Sequence, residues 1–175
     1  LYLEHEKRIT DNLPEVKHVD LWAEQVGFLA EEHPFKTPAV FFSYRMLGGD
    51  NQGERIQQLR MQVEVYLFFE TFADTRRGSK NQNKALGFLD LLTKINACFH
   101  GGSGTYFSEM KRTGFNPVET GTAALLYVQR YECNVHDSSA QVLYNNLKFE
   151  NMEVVVNRGV AQQEPDDTPL YDRID

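Results

Sequence analysis

The chain is short of cysteine, tryptophan and positive charge, and it has no long apolar run. Each shortage removes a class of protein. Two cysteines, Cys98 and Cys133, in 175 residues are too few for a disulfide framework and suit a reducing compartment. No run of about 18 apolar residues and no signal-peptide pattern is present, so neither a membrane span nor export by a signal peptide is expected. Lys and Arg number 18 against 25 Asp and Glu, a net charge of −7. That argues against a reader of nucleic acid, which needs clustered cations for phosphate. It leaves room for a protein that surrounds DNA without gripping it. The deficit is uneven: from Glu150 to Asp175 seven acids face two bases, a net −5, so the remainder is close to neutral.

What is present is enough for a packed core. Hydrophobic residues make up 41% and aromatics 12%, a composition that excludes disorder over most of the chain. Residues 1–13 read as an amphipathic helix, with Tyr2, Ile9 and Leu13 on one face and Pro14 ending it. Val16, Val19, Leu21 and Trp22 form an apolar cluster, and the lone Trp22 is expected to plug the core. Residues 39–46 and 60–72 read as an antiparallel hairpin whose tip, the Gly-rich stretch 48–56, is a mobile loop. In the second strand Met61, Val63, Val65, Leu67 and Phe69 fall on one face, with Gln62 and Glu64 on the other. The spacing of Ala85, Phe88, Leu89, Leu92, Ile95 and Phe99 predicts a helix over 83–99, stopped by Gly101 and Gly102. A weaker strand over 105–114 and a stronger one over 123–135 follow, joined by 117–122. Residues 142–156 read as a further strand or an arm, and 162–175 as a polar tail. The fold class is α+β: a mostly antiparallel sheet with helices packed on it, over residues 1–137. Residues 138–175 form a C-terminal extension or arm with an acidic tail.

Chemistry is scarce where an enzyme would show it. Cys98, His100, Cys133 and His136 are the residue types that hold zinc. Two positions apart on a helix, or three apart on a strand, side chains diverge. The expectation is therefore no metal and no cofactor, with Cys98 buried at a helix end and Cys133 in the core. Gly101, Gly102, Ser103 and Gly104 follow a helix rather than lead into one, the wrong polarity for a phosphate cradle. Ser103 lies in no nucleophile elbow, and Glu31, Glu32 and His33 resemble a charged loop. Arg76, Arg77 and Lys80 are the basic cluster, read as a solvated mobile loop that could contact a partner.

The order of these elements resembles a family. Val16-x-x-Val19-x-Leu21-Trp22-x-x-Gln25, then Pro34-Phe35-x-Thr37-Pro38-Ala39-Val40-Phe41, is similar to the opening of tail-terminator and tail-completion proteins of long-tailed bacteriophages and prophages. The strand Gln62-Val63-Glu64-Val65-Tyr66-Leu67, the helix Ala85-Leu86-x-x-Leu89-x-x-Leu92, Phe99-His100-Gly101 and the strand end Arg130-Tyr131-Glu132-Cys133 follow in the same order. The likeness lies in element order and loose pattern over residues 1–137. It implies a virion structural protein, not an enzyme: a homo-oligomeric ring, usually of six copies, at the head-proximal end of the tail. Such a ring ends growth of the tail tube and offers a surface to a head-completion or neck protein. DNA passes through it without sequence-specific contact, and assembly takes place in the host cytoplasm. The alternatives are a head-completion or neck adaptor, a protein-binding module of a host cell, and an enzyme built on the Cys/His set. For a ring, Tyr66 and Phe68 are the expected interface, because a helix covers one face of the hairpin and leaves those two side chains on the other.

Overall fold

The structure, a computed structural model, describes residues 1–23, 35–70, 75–119 and 124–141. It is an α+β fold built on a five-stranded sheet in the order β1-β2-β3-β5-β4. The strands are β1 (His18–Leu21), β2 (Ala39–Gly53), β3 (Ile56–Phe69), β4 (Lys111–Val118) and β5 (Leu125–Asp137). Only β1 runs parallel to its neighbour β2; the other pairings are antiparallel.

The hairpin is far longer than its apolar pattern suggests. Residues 48–53, expected as a mobile tip, continue β2 and pair with β3 through Gly49–Leu59, Asp50–Gln58 and Asn51–Gln57. The reason is that ladder hydrogen bonds come from the backbone and are indifferent to side-chain polarity. A third strand also supports this end, because β5 pairs with β3 as far as Gln57–Asp137. At about 3.3 Å per residue, β3 spans roughly 45 Å. The turn itself is only Glu54 and Arg55, both at positive φ (48° and 66°), after Gly53 at 83°.

One face of the sheet is covered by α1 (Tyr2–Asn12) and α3 (Gly87–Phe99). Alternation in β3 and β5 sends Val63, Val65, Leu67, Tyr131 and Cys133 to this face, where Ile9, Leu13, Phe88, Leu91, Leu92, Ile95 and Phe99 meet them. The helix expected over 83–99 is two pieces: a short α2 (Gln82–Ala85), a break at Leu86 and then α3. Gly87 follows the break, and glycine disfavours helix by about 1 kcal/mol relative to alanine. Leu89, expected on the apolar stripe, is exposed.

Helix α1 is fastened by side chains as well as by packing. Arg8 donates to the carbonyls of Cys98 (3.3 Å) and Ser103 (2.8 Å), and a Glu4 carboxylate oxygen accepts the Thr105 N–H (3.1 Å). Gly104 lies so close to Glu4 and Phe107 that a Cβ there would collide with both.

Strand β4 begins later than expected and runs through Pro117, which the sequence places in a connection. The outer position in the sheet explains this, since an edge strand tolerates a residue with no N–H. Residues 105–110 instead form irregular backbone with single bridges at Phe107–Val135 and His100–Met110. β1, read only as an apolar cluster, is a short strand. The one described part of the C-terminal extension is residues 138–141; the expected strand or arm at 142–156 and the tail at 162–175 lie outside the described residues.

Candidate functional site

The second face of the sheet is divided. Near the β1 end it carries a small core of Ala39, Phe41, Tyr66, Phe68, Leu126 and Val128, with Trp22, Phe35, Val118 and Ala124 packed on it. Trp22 stacks flat on Tyr66 (ring centroids 4.3 Å apart, planes at 7°), and Phe35 meets Phe68 edge-on at 5.3 Å. Tyr66 is therefore only 9% exposed and Phe68 1%. This corrects the expectation that both side chains stand open as an interface: Trp22 and Phe35 cover them. Trp22 is half-buried, a lid on this second cluster rather than a plug in the main core.

Beyond that cluster the face is polar. Going toward the hairpin tip, its cross-strand rows are Ser43, Glu64 and Arg130; Arg45, Gln62, Glu132 and Lys111; Gly48, Arg60 and Asn134; Asp50, Gln58 and His136. None of these side chains is buried. In the first row Arg130 donates to Glu64 Oε1 (2.7 Å) and to Asn116 Oδ1, while the Tyr66 hydroxyl donates to Glu64 Oε2 (2.8 Å). Both oxygens of Glu64 are thus engaged, so the network braces the boundary between the two halves and leaves no free base. A depression of about 360 Å³ lies at Gly48, Gly49, Asp50, Gln58, Arg60 and Asn134, where two glycines leave the ribbon bare.

The residues considered for chemistry are not assembled. Among the described residues no three His, Cys, Asp or Glu side chains are grouped to hold a metal ion. Cys133 is buried, and burial pushes its thiol up to about 11. Cys98 is half-buried rather than buried, and its thiol is also raised, mainly by burial. Neither is a thiolate near neutrality, so neither is a primed nucleophile. His100 Nδ1 accepts the Arg112 N–H (3.2 Å), and His136 lies exposed on the polar sheet face. Gly101, at φ 77°, ends α3, and Ser103 serves Arg8 through its carbonyl. Arg76, Arg77 and Lys80 are exposed in the turn before α2. Glu31, Glu32 and His33 lie outside the described residues.

A cleft of about 520 Å³ between α1 and α3 is lined by Arg8, Asn12, Leu13, Lys94, Ala97 and Cys98. Its cations are already committed: Arg8 to two carbonyls and Lys94 to Glu15 (2.5 Å). In the core, Gln129 donates to the Leu92 carbonyl (2.7 Å) and accepts from the Tyr131 hydroxyl.

His5 is a buried titratable residue that the sequence reading missed. It is fully buried between Phe42, Tyr44, Phe99 and Phe107, with ring centroids 4.9 to 5.9 Å away. Its Nδ1 hydrogen bonds with the Tyr44 hydroxyl (3.2 Å), and its Nε2 is buried with no hydrogen-bond partner. Its place in α1, four residues before Ile9, is the signal that could have found it. No helix among the described residues is long and apolar enough to cross a membrane.

Compared with models of known protein families and with curated proteins, the chain matches none.

Proposed function

We propose that the chain is a structural assembly protein of a phage or prophage tail, a terminator whose copies close into a ring on the head-proximal end of the tail tube. The ring stops tube polymerisation and presents a surface to a neck or head-completion protein. The observation that supports this reading is the divided sheet. One face is committed to the core, and the other carries four rows of solvated side chains on strands up to 15 residues long. Those rows hold Arg45, Arg60, Lys111 and Arg130 against Asp50, Glu64 and Glu132, close to electrical balance. A long, rigid, polar and nearly neutral face suits a lumen wall, because DNA sliding past it meets few uncompensated cations.

Deletion of the gene in the source phage or lysogen, followed by electron microscopy of the lysate, tests the proposal. Tails of uncontrolled length, corrected by supplying the chain from a plasmid, are the expected result. Headless tails of normal length would identify a neck adaptor instead, and normal virions would overturn both.

A further inference from the structure

Resting on that reading, we infer that copies of the chain join head to tail through the two unlike flanks of the sheet, an acidic and apolar flank beside β1 meeting a basic and apolar flank beside β4. The two flanks lie at opposite ends of the strand order, which is the arrangement a heterologous, ring-closing contact needs.

The β1 flank presents Leu3 on α1, 74% exposed. At the same edge of the sheet are the carboxylates of Glu6, on α1, and of Asp20, on β1 in register with Phe41 and 3.8 Å from His18 Nε2; both are close enough to Tyr2 to raise the pKa of its hydroxyl after the larger effect of burial. The β4 flank presents Phe115, 49% exposed and stacked on Tyr127 (5.5 Å, 12°). Leu89 of α3, 46% exposed, lies on the same side. Leu89 and Asn96, seven residues apart, share one face of the helix, and His100 follows at its C-terminal end. From that face Asn96 approaches the Tyr131 hydroxyl (3.5 Å), and from the helix end His100 reaches the Arg112 backbone on β4. Arg112 is exposed, and its guanidinium forms no ion pair among the described residues. Each flank thus offers an exposed apolar side chain, and the carboxylates of Glu6 and Asp20 on one are opposite in sign to Arg112 on the other.

The contact is made by side chains, not by adding strand to strand. β4 carries Pro117, an irregularity between Arg112 and Gly114, and Lys111. Those are the devices by which edge strands resist backbone pairing. The partner this flank fits is therefore a second copy of the chain docked over Phe115 and Leu89.

The test is a charge-swap cycle on the full chain, with oligomer mass read by sedimentation velocity and folding checked by circular dichroism. Wild type is expected to associate more weakly as salt rises. Arg112→Glu and Asp20→Lys should each weaken association at least tenfold while the chain stays folded. The two together should recover most of the loss. Phe115→Ser should weaken association at every salt concentration. Folded single variants that assemble like wild type, or a double variant no better than either single, would overturn the inference while leaving the terminator reading intact. A wild-type chain that stays monomeric both free and on purified tail tubes would overturn both. Salt-sensitive assembly through these flanks in a chain that tails do not need would keep the inference and remove the terminator reading.

Discussion

His5 makes the stability of the fold depend on pH, and the part of its window above about pH 5 lies higher than the ordinary range of the carboxylates. Burial, assisted by the positive charges of Arg8 and the amino terminus, pushes its imidazole down to about 3, against about 6.5 in an unfolded chain. Between those values the unfolded chain binds a proton that the folded chain refuses. The stability contributed by the neutral ring is therefore complete above pH 6.5 and is lost as pH falls through the window toward 3. The slope is about 1.4 kcal/mol per pH unit, so about 2 kcal/mol is lost by pH 5. Urea unfolding followed by far-ultraviolet circular dichroism at pH 7.5, 6.5, 5.5 and 5.0 measures the slope. His5→Leu is the control. It removes the titrating ring and the unpartnered Nε2 at similar volume, and near pH 7 it should change stability by only about 1 kcal/mol, since a lost hydrogen bond and a relieved buried polar atom oppose each other. Across the window the variant should run flat where wild type falls. Parallel profiles for the two proteins would refute the reasoning, as would a nuclear magnetic resonance signal assigned to the His5 imidazole that titrates near 6 in the folded chain.

Other substitutions probe separate parts of the fold. Replacing Glu54 and Arg55 by Asn and Gly at the hairpin turn puts residues that tolerate positive φ where the backbone requires it; a gain of about 1 kcal/mol in denaturant unfolding is expected. Gln129→Leu strips the Leu92 carbonyl of its side-chain donor and the Tyr131 hydroxyl of an acceptor in the core; it should cost about 2 to 3 kcal/mol and lower the thermal midpoint by about 5 °C or more. Phe68→Lys buries a charge beneath Phe35 and should abolish cooperative unfolding, whereas Arg60→Ser on the solvated half of the same sheet face should change stability by less than about 0.5 kcal/mol.

The parts of this architecture legible in the sequence are those where burial leaves an alternating trace. Val63, Val65 and Leu67, and Leu125, Tyr127, Tyr131, Cys133 and Val135, all reach the helix-covered face that their parity indicates. The distal half of β2 left no trace because both its faces are solvated there, so Gly48 to Gly53 reads like a loop although its backbone is paired. Pro117 hid the end of β4, since a proline argues against a strand unless the strand is known to be an edge. The misreading of Tyr66 and Phe68 has a tertiary cause. Parity correctly puts them on the face away from α3, but no local pattern reveals that Trp22 and Phe35 return to cover it. The network of Glu64, Arg130 and Asn116 was illegible for a related reason: it depends on the registers of β3 with β5 and of β5 with β4.

The attachments of α1 also set a timetable for folding. Arg8 finds its two carbonyls 90 and 95 positions along the chain, and Glu4 finds its amide 101 positions along. The Glu64–Arg130 pair between the central strands spans 66 positions. Loops of that length must close before any of these contacts can form, which places the fold among those of high contact order that take milliseconds to seconds. On a ribosome, the face of α1 that carries His5 and Ile9 has no core to enter until the segment through Phe107 has been made. The main sheet cannot be completed until β5 follows. Until then the nascent chain carries the apolar face of α1 without its full set of partners, so the interval before β5 emerges is when this protein is most open to capture by a chaperone or by another copy of itself.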